Sequence, residues 1–319
     1  MNTPVPAKLV KLVGQQTIRS ASPSVHALCE ALLSRYGMAV QAVIFYGSCL
    51  RKGDDRNAIV DLYLLVDSYR AAYHGGVKAF LNKLLPPNVF YMELPFEKRI
   101  VRAKYAVLSL KDFERGTSRR WFHSYLWARF AQPAGLLFAR NERVVERVHR
   151  AMARAVLTFI ERVLPRTNEC FSAEDLWRKG FLLSYRAELR AERPDKLGQL
   201  FETAAGYYDR VTQAAISGIC FPVEILNHPE DVFYKASIAE RARRLSRFAW
   251  GVRRFQGKWL SALRLLKGLF TFKGGLEYIL WKIERHSQVG DCPNPHGKSH
   301  SFWGACMHLW RLYRQGAFR

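Results

Sequence analysis

The sequence predicts an α+β protein. A mixed sheet flanked by helices is expected over residues 1–140, a mainly helical region over 141–257, and a basic amphipathic C-terminal region over 258–319. Two patterns carry this reading. Ahead of residue 140, short runs of branched and aromatic residues alternate with segments of helical periodicity, as they do where strands and helices share a sheet. From Asn141 onward the apolar residues recur at three- and four-residue spacing, the mark of amphipathic helices. A chain of 319 residues, 49% of them apolar, is long enough to bury a core in each of two domains.

In chain order, VHALCEALLSRYG from Val25 places its apolar residues on one helical face. Ser22 or Ser24 caps its start and Gly37 closes it. AVQAVIFYGS, from Ala39, reads as a buried strand running into a Gly-Ser turn. The polar residues 49–56 read as a loop, and NAIVDLYLLVD, from Asn57, as a second strand. A helical segment ends near Leu85, where Pro86 and Pro87 break it, and NVFYMEL and RIVRAKYAVLSL are two further strands. Beyond Asn141, RVVERVHRAMARAVLTFIERVLP is strongly amphipathic, and Ser172 with Asp175 has the spacing of a helix capping box. The stretch from Lys258 mixes apolar and basic residues, with Trp259, Leu263, Leu266 and Phe270 on one helical face. From Gln288 the chain is rich in Gly, Pro, His and Ser, a composition that favours loose order. No internal repeat is visible.

Fifty Lys and Arg face 27 Asp and Glu, a formal charge of +23. A surplus of that size attracts an anionic partner: nucleotide triphosphate, anionic lipid or nucleic acid. The six cysteines, among them Cys29, Cys49 and Cys170, lie far apart without a paired framework, which fits a reducing compartment. No run approaches the roughly 18 to 20 apolar residues that span a bilayer, so a membrane role is expected to be peripheral. The first thirty residues lack an apolar signal core, and their Lys8, Lys11 and Arg19 leave a transit peptide open.

The chemistry concentrates in FYGSCLRKGDDRNAIVDLYLLVD, residues 45–67. A Gly-Ser turn after one strand, followed by an acid on the next, is what metal-dependent nucleotidyl transfer needs. Gly47 admits a triphosphate close to the backbone, Ser48 supplies a hydroxyl, and Asp61 can hold a magnesium ion bridging phosphate oxygens. A two-carboxylate site would repeat the acid two residues on, but that position is Tyr63. A second ligand then comes from Asp67, from Asp54 or Asp55, or from Glu93. Arg102 and Lys104 share strand parity and can meet phosphate together, whereas Arg99 points the other way. In the basic stretch, Lys267, Lys273 and Lys282 are placed to meet anionic lipid. The tail residues His286, Cys292, His296, His300, Cys306 and His308 lack the paired spacing of a zinc site.

The segments FYGSCLRKGDDRNAIVDLYLLVD, RAKYAVLSLKDF, WARFAQPAGLLF, LPRTNECFSAEDL and LLSYRAELRAERPDK occur in this order. Together they resemble the phosphatidate cytidylyltransferases of the mitochondrial translocator-assembly-and-maintenance type, over about residues 41–215. The resemblance implies a nucleotidyltransferase-fold domain (1–140), a helical, winged-helix-like domain (141–257), and a basic membrane-surface region with a flexible tail (258–319). It implies magnesium-dependent reaction of CTP with phosphatidic acid to give CDP-diacylglycerol and pyrophosphate. By position, Gly47 and Ser48 match the phosphate-binding turn, Asp61 and Asp67 match acids, and Lys104 matches a lysine. Ser184, Tyr185, Arg190 and Lys196 match a serine-tyrosine motif with its basic residues. Cys49, Ala106, Met92 and Glu188 depart from the family's Gly, Gly, Asn and Asp. The expected partners are CTP, phosphatidic acid and an anionic membrane surface, with nucleic acid second. The expected place is cytoplasmic, at the inner face of a membrane, or the mitochondrial matrix. Nucleotidyl transfer to RNA or protein, and a non-catalytic binding role, are the rival functions.

Overall fold

The structure, a computed structural model, describes residues 4–18, 21–56, 58–188, 194–227 and 232–271. Helices α1 (Ala7–Thr17) and α2 (Pro23–Tyr36) precede strand β1 (Val40–Tyr46), a short helix α3 (Ser48–Lys52) and strand β2 (Ile59–Val66). Helices α4 (Tyr69–Tyr73) and α5 (Gly76–Leu84) lead to strands β3 (Asn88–Phe96) and β4 (Arg99–Ser109). Helices α6 (Leu110–Gly116) and α7 (Trp127–Phe130) lead to strand β5 (Gly135–Ala139). Then come α8 (Glu142–Val163), β6 (Cys170–Ser172), α9 (Ala173–Arg186), α10 (Pro194–Glu202) and α11 (Ala205–Ala215). Strands β7 (Val223–Asn227) and β8 (Val232–Ala236) and helix α12 (Glu240–Thr271) complete the order.

Of the two candidate serines, Ser22 caps α2, and the expected capping box on α9 forms. Ser22 accepts from the Val25 amide and Gly37, at a φ of 52°, ends α2. Asn141 accepts from the Val144 amide to open α8, and Ser172 with Asp175 closes a reciprocal capping box on α9. The residues after Gly47 are not all loop. Ser48–Lys52 is helical because Leu50 and Cys49 are buried, with the Cys49 thiol donating to the Ile59 carbonyl at 3.3 Å.

A five-stranded mixed sheet runs β3-β4-β2-β1-β5, parallel between β2 and β4 and antiparallel elsewhere. Strand alternation divides its side chains between two faces. Tyr105 lies on the face that meets α2, where its ring packs edge-on against Tyr36. Ala42, Ile44, Tyr63, Leu65, Ala106 and Leu108 join a hydrophobic core shared with Leu9 of α1, Phe130 of α7, Phe159 of α8 and Trp177 of α9.

By compactness the chain divides into residues 1–264 and 265–319. Within the first unit, the change at residue 141 is one from sheet to helix inside a single core. That core is aromatic: Phe159 stacks on Trp177 with centroids 4.4 Å apart, and Trp177 donates to Thr212 at 2.8 Å. A three-stranded sheet, β6-β8-β7, interrupts the expected helical region.

Helix α12 begins at Glu240, ahead of the boundary expected at Lys258. Its buried residues, Trp250, Arg253 and Gly257, fall at three- and four-residue spacing. Gly257 is required by proximity, since a methyl group there would stand 1.9 Å from the Ala187 carbonyl oxygen. Leu245, Phe248, Val252, Phe255, Trp259 and Leu263 form a second stripe, exposed on another side of the same helix.

Candidate functional site

Strand register lines four polar side chains, of three chemical kinds, across the sheet. Tyr91 on β3 pairs with Lys104 on β4, Lys104 with Asp61 on β2, and Asp61 with Tyr46 on β1. Gly47 follows Tyr46 directly, so the turn after β1 lies beside the Asp61 carboxylate. Its φ of 90° and ψ of −161° fall in a region open essentially to glycine alone. A methyl group at Gly47 would stand 2.5 Å from Asp61 Oδ2. Glycine is therefore required twice, by conformation and by the approach of the carboxylate.

Asp61 is half-buried, and among the described residues it makes no hydrogen bond or ion pair. Lys104 lies next to it in register without closing an ion pair. A partly desolvated carboxylate with unused lone pairs could supply one ligand to a magnesium ion. That ion takes one or two protein carboxylates and completes its shell with phosphate oxygens and water. Among the described residues, no group of three or more His, Cys, Asp or Glu side chains is placed to hold a metal unaided. Cys49, the bulkier residue in the turn, turns inward, and burial, reinforced by Asp61 and Asp55, pushes its thiol up to about 11. It stays protonated at neutral pH.

Of the other acids considered as a second ligand, Asp67 is remote, Asp55 and Glu93 are engaged by arginines, and Asp54 is exposed and accepts from the Arg56 amide at 2.9 Å. Asp67 lies six residues beyond Asp61, just past the end of β2, roughly 20 Å away along the strand direction and too far to share an ion. It is exposed and sits in the field of Arg147. This corrects its expected metal role: matching parity sets the face and leaves the distance open. Asp55 accepts from Ser24 and from Arg99 at 3.1 Å, which also fixes Arg99 on the side away from Lys104. Glu93 accepts from Tyr91 at 2.7 Å and from Arg102 at 3.0 Å. Arg102 shares the face of Lys104 and engages Glu93 in an exposed pair, an interaction weak enough to leave its guanidinium open to competition.

Beneath Asp61 lies a buried aromatic and cationic cluster. Tyr63, two residues on, is fully buried and accepts from Arg129 Nη1 at 3.0 Å. Arg129 also reaches Glu188 at 3.5 Å and lies over the rings of Tyr125, at 4.3 Å, and Tyr46, at 5.4 Å. Arg264 covers Tyr125 at 4.2 Å, donates from Nε to the Pro86 carbonyl, and leaves its buried Nη1 without a partner. Burial alone would push the Tyr125 phenol up, but Arg129 and Arg264 outweigh it and hold it at about 7. Burial and then Arg264 lower the His123 imidazole to about 4, and its Nε2 has no partner.

The serine-tyrosine helix meets this cluster from below. Tyr185, Ser184 and Glu188 line a cavity of about 20 Å³ with Arg129 and Gln132, room for a water molecule. Ser184 is buried and donates back to the Gly180 carbonyl at 2.8 Å, a structural use of its hydroxyl. Tyr185 is thus connected to Asp61 through Arg129 and Tyr63 and does not line the bend with it. Lys196 lies in the first turn of α10, and Arg190, Lys273, Lys282 and the histidine-cysteine tail lie outside the described residues. Lys267 corrects an expectation. It continues the spacing of Trp250, Arg253 and Gly257 on α12 and is buried, 8% exposed, instead of meeting lipid at a surface.

No protein-family model matches the chain, and no curated protein matches it.

Sequence reasoning assigned no role to Tyr125, Arg129, His123 or Arg264. One signal was available in FHSYLWARF, where an arginine stands within a run of aromatic residues that a sheet-facing helix must bury. A buried arginine needs partners, so its presence there pointed to a polar cluster.

Proposed function

We propose that this protein is a magnesium-dependent nucleotidyltransferase that joins CTP to phosphatidic acid, giving CDP-diacylglycerol and pyrophosphate. One observation carries the reading: the Asp61 carboxylate lies against Gly47, without hydrogen-bond or ion-pair partners among the described residues, with Lys104 adjacent in register. Asp61 is the residue that would hold the ion, and when bound the ion would neutralise phosphate charge on the nucleotide.

The remaining chemistry belongs to the chain. Gly47, by lacking a side chain, lets the triphosphate approach the turn, and Ser48 offers its hydroxyl there. An ionised oxygen of the phosphatidate monoester attacks the α-phosphorus, and the bond to the β-phosphate bridging oxygen breaks as pyrophosphate leaves. Lys104 offsets the charge that builds on the transferring group. A dedicated general base is unnecessary, because a phosphate monoester is largely ionised at neutral pH. Tyr63 and Arg129 hold the strand that presents Asp61.

The five-stranded mixed sheet supports a nucleotidyltransferase fold. Helices α8, α9 and α11 with the β6-β8-β7 sheet support a winged-helix-like second part. Among the described residues no helix is long and apolar enough to cross a membrane. The exposed apolar stripe of α12, interleaved with Arg244, Arg254 and Lys258, supports peripheral binding at an anionic bilayer surface, where the lipid substrate resides.

The test is incubation of the full chain with labelled CTP, magnesium and phosphatidate vesicles. CDP-lipid and pyrophosphate should form in equal amounts, and Asp61→Ala should cut the rate about 100-fold or more. No CDP-lipid from the wild type, or equal product from the variant, would end this reading.

A further inference from the structure

At the other end of the sheet lies a cleft of about 940 Å³ that the proposed reaction does not use. Strand β4 runs from Lys104, beside Asp61, to Ser109, a distance of roughly 17 Å, before α6 begins. Three elements build the cleft. Helix α6 contributes Lys111 and Arg115, and α8 contributes Arg150 and Arg154, each pair one helical turn apart and so on one face. Helix α1 contributes Lys11, and the chain after α6 adds Arg119 and Arg120.

The charge in this cleft is not balanced from within. The one acid among its described lining residues, Glu114, is held by Arg147 at 2.9 Å. Arg119 is paired with Glu161, Arg150 with Glu146, and Arg115 lies over the Trp121 ring. Lys11, Lys111, Arg120 and Arg154 have no ion-pair partner among the described residues. Four cations converging from three elements repel one another, and a concave wall concentrates their field, so the cleft favours an anion. Arginine with lysine around a concavity is the donor set that phosphate selects.

The rest of the lining decides what carries the phosphate. Pro4, Val5, Ala7 and Val10 supply aliphatic surface on the α1 side. Among the described residues no aromatic ring lines the cleft, so nucleobases find no ring there to stack on and single-stranded nucleic acid loses its usual source of affinity. An amphiphilic anion satisfies both halves of the lining.

We propose that this cleft binds an anionic phospholipid, with its headgroup phosphate among Lys11, Lys111, Arg120 and Arg154. The first acyl carbons lie against Val5 and Val10. The site is independent of Asp61 and gives the protein a second hold on an anionic bilayer, apart from its substrate.

Short-chain dihexanoyl phosphatidylglycerol, used below its micelle concentration, is the probe. It is a phosphodiester and lacks the monoester oxygen that the proposed reaction uses. Native mass spectrometry of the full chain should show binding at one site. Asp61→Ala should leave the affinity unchanged, and Lys111→Glu with Arg154→Glu should lower it at least tenfold. A photoactivatable phosphatidylglycerol on the wild-type chain should label the peptide containing Val5 to Lys11, a readout that needs no variant to fold. Unchanged affinity in the charge-reversed variant, or labelling confined to other segments, overturns the proposal. Equal competition by inorganic phosphate would replace the lipid with a free anion. Displacement by an RNA oligonucleotide at lower concentration than lipid would assign the cleft to nucleic acid. Either result also overturns it. Failure of CTP turnover with this binding intact would overturn only the catalytic reading.

Discussion

Arg129 donates to the Tyr63 hydroxyl at 3.0 Å, two residues along β2 from Asp61, and carries the Glu188 carboxylate on its other side. The helix that begins with the capping box at Ser172 is thereby tied to the strand that presents the acid. Both charges are nearly withdrawn from water, with side chains 8% and 12% exposed. Removing one member of such a pair leaves the other charge buried with less compensation.

Arg129→Met should therefore destabilise the fold by about 3–5 kcal/mol, because it removes the buried cation that Tyr63 and Glu188 both engage. Arg129→Met combined with Glu188→Met should recover much of that loss. Urea unfolding of the two variants checks the order. A double variant no more stable than the single would refute the argument.

Gly47→Ala tests the close approach that defines the site. The substitution forces a side chain into a backbone region costing about 1–3 kcal/mol and pushes its methyl group into Asp61 Oδ2. Pairing it with Asp61→Gly should remove the collision but leave the backbone strain and abolish nucleotidyl transfer. Thermal unfolding and CTP turnover on all three variants separate the two effects. Wild-type turnover by Gly47→Ala would show that the bend is not used.

The sequence made β1 to β4, α2, α8 and the capped start of α9 legible because local rules set them: alternation, Ser22, Asn141, the Ser172 and Asp175 box. It also made the pairing of Gly47 with Asp61 legible, since a turn followed by an antiparallel neighbour brings those positions together. Asp67 was misassigned because parity along a strand is local while separation accumulates at about 3.3 Å per residue. The Arg129 cluster was hidden because its members, Tyr63, Tyr125, Glu188 and Arg264, meet only through tertiary packing. Helix α1 and the small β6-β8-β7 sheet escaped for a related reason: they are short, and neighbours stabilise them more than pattern does. Lys267 misled because a basic residue near a lipid-binding pattern reads as surface until the buried stripe of α12 is known.

His123 gives the fold a pH dependence of definite sign. Burial, with Arg264 adding to it, lowers its imidazole from an ordinary 6.5 to about 4, so the folded state holds it neutral. Between those values the unfolded chain binds a proton that the folded chain refuses. The stabilising contribution is thus complete above pH 6.5 and is lost as pH falls towards 4, amounting to about 3 kcal/mol. His123→Gln should flatten this part of the stability profile, measured by urea unfolding from pH 7 to pH 4. A variant profile parallel to that of the wild type would show that another group is responsible.

The apolar stripe of α12 separates membrane binding from folding. Phe255 and Trp259 are 68% and 59% exposed, so replacing both with serine removes little buried surface and should change stability by no more than about 0.5 kcal/mol per site. A helix that enters the headgroup boundary gains affinity from the apolar area it buries there and from nearby basic charge. The double variant should therefore lose most of its flotation with vesicles rich in anionic lipid, while unfolding at nearly the wild-type temperature. Raising salt should weaken the wild-type interaction only in part, because the apolar component is insensitive to screening. Full vesicle binding by the double variant, or its complete loss from the wild type at moderate salt, would place the contact on basic residues alone and remove α12 from the membrane.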